Sequence, residues 1–173
     1  MMRIVFLLML LCLPLDTVLA FERAKVSIPR TAPLTLTCIA DAAKASGLPL
    51  AALVGILAAE GGKTGEALSN ANGTWDMGGF QINTVHINEL AAMGIKPEQV
   101  LGDGCVNAHA AAWVLKREYA RTGDIWQAVG AYHSRTPHRR DAYIARVKGH
   151  LLRLGKHGLH SLRSLDHDMR GDP

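Results

Sequence analysis

Aromatic residues make up only 5% of this 173-residue chain, and charge of either sign is in short supply. Nineteen Lys and Arg against fifteen Asp and Glu leave a net +4. That surplus is too small to point to a nucleic-acid partner. There is no Gly-X-Y or heptad repeat, which excludes a fibre, and no sustained apolar/polar alternation of the kind strands leave. Eight histidines raise the question of zinc, yet no His-Glu-x-x-His or Cys-x-x-Cys spacing is present, so neither a metal nor another cofactor is expected. What is abundant is apolar content, at 49%. That excludes a disordered chain, and the length suits one domain with a real core.

The single long apolar run, Ile4 to Leu15, is too short to span roughly 30 Å of hydrocarbon as a stable helix. Arg3 precedes it and Val18-Leu19-Ala20 follows it. A positive start, a short apolar core and a Val-x-Ala end are the parts of a secretory signal peptide, residues 1–20, cleaved after Ala20. Cys12 follows Leu10 and Leu11 rather than the small residue a lipid-attachment site needs. The expected product is therefore exported, without a stable membrane span. Cys12 leaves with the signal, and Cys38 and Cys105 remain. An even pair in an oxidising compartment most simply makes one disulfide, two separate buried thiols being the alternative. The bridge would close a loop of 68 residues, counting both ends, and contribute about 4 kcal/mol.

Residues 21–33 read as an extended leader with two prolines. An Ala-rich helix is expected over Leu34–Ser46, ended by Gly47. A second runs from Pro49 through Leu53 and Leu57 to Glu60 and stops at Gly61-Gly62. Lys63 to Asp76, rich in Gly, Asn, Ser and Thr, reads as a loop. Further helices are expected from Phe80 to Met93, Val106 to Tyr119, Ile125 to Tyr132 and Tyr143 to Leu154. The last carries Ile144, Val147 and Leu151 on one stripe. Past Lys156 the pattern dissolves, so residues 156–173 read as a loose tail containing His157, His160 and His167. From Arg135 to Pro173 nine Arg or Lys face four Asp, a local +5, which reads as a solvated face and, among anionic polymer, also favours retention. The fold class is mostly α, with one long active-site loop between helices.

Glu60 stands out chemically. It lies three, four and seven positions after Leu57, Ile56 and Leu53, on the apolar face of its helix and in the last turn. Burial and the helix dipole both favour the neutral acid there. A carboxyl group that keeps its proton near neutral pH is suited to protonating a glycosidic oxygen. The bland alternative is a glutamate bending outward at a frayed helix end. Downstream of Glu60, the polar residues from Ser69 to Asn83 suit hydrogen bonding to sugar hydroxyls and N-acetyl groups. Trp75 is either a sugar-stacking platform or core.

Five elements occur in order: Glu60; Asn72-Gly73-Thr74; Gly78-Gly79-Phe80-Gln81-Ile82-Asn83; Asp103-Gly104-Cys105-Val106-Asn107; and Ala131-Tyr132. Together, over about Leu34 to Leu151, they resemble the family 1 soluble lytic transglycosylase domain, with its goose-type-lysozyme-like helical fold. The small exported form with a Cys pair is similar to VirB-type and conjugation-associated members. The resemblance implies a domain over 34–155, with Glu60 as sole catalytic acid/base. It implies Gln81 and Tyr132 beside the acid, with Asn72, Phe80 and Asn83 as further substrate-binding positions, and a Cys38–Cys105 pair. The implied partners are peptidoglycan glycan strands in the periplasm and a secretion or conjugation apparatus for which the wall is opened. Three positions depart from the family pattern: Gly61 stands where Ser usually follows the glutamate, His133 where Asn follows the tyrosine, and Phe80 where Met is common. A hydrolytic lysozyme using Asp76, and a wall-binding assembly factor without turnover, are the competing functions.

Overall fold

The computed structural model describes residues 23–170, with side chains described through residue 156. The proposed signal segment, residues 1–20, lies outside the described residues. Seven α-helices surround a buried core, with a small sheet at one end. Thr35 caps α1, Leu36–Ser46, by accepting from the Cys38 N–H, and Gly47 closes it in the left-handed region. Helix α2, Leu50–Glu60, ends on Gly61 at φ 63°, a conformation that glycine adopts without steric cost. After the sheet come a short 3₁₀ turn, Thr84–His86, then α3, Ile87–Ala92, and α4, Pro97–Gly102. Asp103 caps α5, Gly104–Thr122, and Asp124 caps α6, Ile125–His133. The final helix α7 runs Pro137–Arg170.

Helix α5 is the central element, and its Ala108, Ala110, Ala111, Ala112 and Leu115 are fully buried. Small residues on that surface let α1 and α6 approach closely. Helix α7 lays the expected stripe across α2. Val147 is fully buried, and Val147 and Leu151 sit against Gly55, where an added Cβ would collide with them. Cys38 and Cys105 are bridged, Cα to Cα 4.8 Å, tying α1 to the first turn of α5. No helix among the described residues is long and apolar enough to cross a membrane.

Three expectations need correction. The segment after α2 is not a plain loop. Strands β1, Lys25–Ser27, β2, Glu66–Ser69, β3, Trp75–Met77, and β4, Ile82–Asn83, form one antiparallel sheet in sequence order. Strands of two to four residues are too short to leave a period-2 signature, and β1 pairs across about forty residues of intervening chain. The leader is thus the sheet's edge strand, with Val26 opposite Ala67. Next, Phe80-Gln81-Ile82-Asn83 does not start a helix, because Gln81 at φ 51° and β4 delay helix formation to Thr84. Finally, the backbone past Lys156 continues α7 to Arg170 instead of loosening. No proline interrupts the chain between Pro137 and Pro173, and an established helix extends more easily than it starts.

Candidate active site

An open groove of about 800 Å³ runs between the sheet and the α6–α7 corner. Its walls include Glu60, Asn72, Asp76, Gln81, Asn83, Tyr132 and His133. Five of the six positions proposed from sequence for catalysis or substrate contact therefore meet in one place. The sixth, Phe80, does not line the groove: its ring is fully buried in the core. Trp75 likewise packs against the core, so the bland reading of that residue holds.

Glu60 reaches the groove because α2 ends there. Its carboxylate Oε1 accepts a hydrogen bond of 2.5 Å from the Tyr143 hydroxyl. Burial pushes the Glu60 carboxyl above its ordinary value. The Tyr143 hydrogen bond and the positive Arg146 restrain that rise, and the negative Asp76 adds to it. A glutamate held toward its neutral form on a groove wall is what proton donation requires. Tyr143 itself is 2% exposed, and burial beside Glu60 drives its phenol far above the usual range. It stays a donor throughout.

Tyr143 was missed from sequence because it lies 83 residues from Glu60. One signal was available. Tyr143 precedes Val147 by four, on the buried stripe of α7, and a buried tyrosine hydroxyl needs a partner. At Gly61, one of the departures from the family pattern, the backbone takes the left-handed cap, and the hydroxyl that reaches Glu60 is that of Tyr143. The departure at His133 also has a visible role: its imidazole stacks on the Tyr143 ring, centroids 4.7 Å apart and 5° from parallel. The Arg146 guanidinium covers the same ring at 4.8 Å.

The Gly78–Gln81 turn, which brings Gln81 to the groove wall, is held from several sides. Asn107, fully buried on α5, accepts from the Phe80 N–H and donates to the carbonyls of Met77 and Val100. The Tyr132 hydroxyl donates to the Phe80 carbonyl at 2.9 Å. Gly62 passes so close to Gly78, Gly79 and the Gln81 amide that a Cβ would collide with them, and its N–H donates to the Gly79 carbonyl. The Gln81 side-chain amide donates to the Gly78 carbonyl. Left-handed backbone at a non-glycine residue is costly and persists only where its surroundings fix it.

The remaining polar positions are mutually engaged. Asn83 Nδ2 donates to Thr74 and to Asp76 Oδ1. Asn72 Oδ1 accepts from the Thr74 hydroxyl. Asp76 Oδ2 is paired with Arg23 at 2.9 Å, a residue of the leader that sequence reasoning did not flag. That arginine also donates to Asn70 and to the Ser69 carbonyl, so the leader closes one end of the groove.

The transglycosylase SLT domain model matches residues 37–147, which hold Glu60, the sheet except β1, and Tyr143. X polypeptide from Escherichia coli is 40% identical over 74 residues, 39% of this chain and 44% of that protein. Invasion protein IagB from Salmonella typhimurium is 37% identical over 78 residues, covering 45% and 49%. Protein IpgF from Shigella flexneri is 34% identical over 100 residues, covering 57% and 66%. The match spans about half the length of the first of these relatives. With the family match extending over well more than half of the chain, on a mostly helical lysozyme-like fold, this protein belongs to the lytic-transglycosylase-like family of transglycosylase SLT domain proteins.

Proposed function

We propose that the protein is an exported, periplasmic lytic transglycosylase. It cleaves the β-1,4 bond between N-acetylmuramic acid and N-acetylglucosamine in peptidoglycan and leaves 1,6-anhydromuramoyl ends. The observation that carries this reading is the single available carboxyl group. A two-carboxylate glycosidase needs a second acid free to act as base or nucleophile. Of the two acidic residues on the groove wall, Asp76 is tied by Arg23 and Asn83, and only Glu60 remains.

One carboxyl group suffices when the substrate supplies its own nucleophiles. Glu60 donates its proton to the glycosidic oxygen as the N-acetyl oxygen attacks C1. The ionised Glu60 then takes the proton of the C6 hydroxyl, whose oxygen displaces the N-acetyl oxygen at C1 and closes the anhydro ring. Net, the glycosidic C–O bond is exchanged for the C1–O6 bond, the bond from C1 to the N-acetyl oxygen forming in the first step and breaking in the second, and no water is consumed. Tyr143 occupies Oε1, which leaves Oε2 to carry the proton. After the first step the same hydroxyl stabilises the carboxylate. Gln81 and Tyr132, both on the groove wall and both bonded to the Gly78–Gln81 turn, would flank a bound sugar ring.

One relative is named an invasion protein, which supports a role in opening the wall locally for a secretion or conjugation apparatus. The test of the chemistry is product analysis of digested cell wall by mass spectrometry. Anhydro ends on the released fragments are expected. Reducing ends would establish hydrolysis, with Asp76 or another acid orienting water, and no release at all would leave a wall-binding factor.

A further inference from the structure

The catalytic groove does not end at Glu60. A side cavity of about 260 Å³ lies beside it, lined by His133, Arg139, Ala142, Tyr143 and Arg146. His133, Arg139 and Arg146 also line the main groove, so the two spaces adjoin. The side cavity is smaller than the roughly 300–1,000 Å³ of whole-ligand sites. It is sized for a branch of a larger ligand lying in the groove.

The positive charge there is deliberately placed. Arg139, Ala142, Tyr143 and Arg146 fall at i, i+3, i+4 and i+7 of α7, one face of the helix, with the arginines two turns apart. Neither arginine makes an ion pair among the described residues, whereas the neighbouring Arg140 is paired with Asp141. Arg146 is held in place by stacking on Tyr143, and it influences Glu60 through space without pairing with it. Two exposed arginines lining one small cavity beside the groove offer the positive charge and the donors that a carboxylate takes.

We infer that this side cavity is a carboxylate subsite, in which Arg139 and Arg146 hold an acidic group branching from the glycan strand. The inference rests on the peptidoglycan reading above. That substrate offers the chemistry in two places: the carboxylates of the peptide stem, and the lactyl carboxylate exposed when the stem is removed. A plain N-acetylglucosamine polymer carries neither. The subsite therefore sets specificity, separating wall glycan from neutral glycan of the same backbone.

The experiment uses full-length mature protein carrying Glu60→Gln, so that ligands bind without being cleaved. Dissociation constants are measured by calorimetry for neutral N-acetylglucosamine oligomers, stem-bearing strands and amidase-stripped strands. Adding Arg139→Gln and Arg146→Gln should weaken binding of stem-bearing strands about tenfold or more. Neutral oligomers should stay within about twofold, which also reports that the groove is intact. A parallel loss on stripped strands places the lactyl carboxylate in the cavity, and a loss confined to stem-bearing strands places a stem carboxylate there. The preference of the Glu60→Gln parent for charged strands should shrink as salt is raised. Equal loss on neutral and charged ligands, or no loss on either, would overturn the subsite and leave the peptidoglycan reading standing. A parent that binds no muramyl strand at all takes down both.

Discussion

Two glutamates in this molecule stand on apolar helix faces near helix C-termini, and they have opposite fates. Glu60 ends α2 behind Leu53, Ile56 and Leu57; Glu118 lies just before the last turn of α5, behind Ala111, Val114 and Leu115. Spacing and apolar neighbours are alike, and the helix dipole disfavours charge more strongly at Glu60. Yet burial wins at Glu60 and raises its pKa. At Glu118 the burial penalty is outweighed by Arg135 and Arg121, and the pKa falls. Glu118 accepts from Arg135 at 2.6 Å and from Arg121 Nε at 3.0 Å. Glu60 receives one neutral hydroxyl and faces an open groove. A carboxylate on an apolar face therefore reads as catalytic or structural according to what it is given as a partner, not according to its burial.

The largest expected effect separates the two residues by function. Glu60→Gln should lower release of anhydromuropeptides by roughly 10² to 10⁴-fold, toward the upper end because one group serves as both acid and base. Its melting temperature should equal or exceed that of the parent near neutral pH. Glu118→Gln should leave the rate per folded molecule unchanged. Comparable rate losses in both variants would erase the distinction.

Next comes stability, where the order reverses. Replacing the Glu118 carboxylate removes the charge that three hydrogen bonds from two arginines serve, each arginine being about half exposed and able to turn to water. A cost of about 2 kcal/mol is expected in urea unfolding. The pH dependences also carry opposite signs. Glu118, with its folded pKa depressed below 4.5, contributes stability that is complete above that value and lost as pH falls through the folded pKa. Glu60, with its folded pKa raised, contributes fully below 4.5 and loses that contribution as pH rises through the folded pKa. Unfolding midpoints followed across pH should therefore show the Glu60→Gln advantage growing upward from about pH 4.5. The Glu118→Gln deficit should shrink downward from there.

The comparison also marks what was legible in the sequence. The apolar spacing that singles out Glu60 applies equally to Glu118, which was passed over. The difference is partly local: Arg121 follows Glu118 by three positions, whereas Gly61-Gly62 follows Glu60. The rest is long-range, since Arg135 and Tyr143 reach their glutamates across 17 and 83 residues. Helices α1, α2, α5 and α6 were readable because their caps and apolar periods are local. The sheet was not, because its strands are short and β1 comes from the leader. The groove residues Gln81, Asn83 and Tyr132 were found through motif order. Sequence did not reveal that Phe80 acts through its backbone, its carbonyl held by Tyr132 and its N–H by Asn107.

The smallest effect tests the partner itself. Tyr143→Phe keeps the ring stacked under His133 and Arg146 and removes only the hydroxyl donated to Glu60. That hydrogen bond favours the ionised carboxylate, so without it the Glu60 pKa should rise further. In the proposed mechanism Glu60 starts the reaction protonated, so the high-pH limb of the rate profile, where the acid is lost, should move to higher pH. The rate at the optimum should nonetheless fall about tenfold, because the carboxylate formed in the first step loses a charge-assisted bond. A merely structural tyrosine would change the amount of folded protein and leave the profile in place. The decisive measurement is the pH–rate profile of Tyr143→Phe beside that of Glu118→Gln. A displaced limb in the first and an unmoved limb in the second would tie the titration to Glu60 through its hydroxyl partner. Superimposable profiles for Tyr143→Phe and the parent would remove Tyr143 from the chemistry and make it packing for α7.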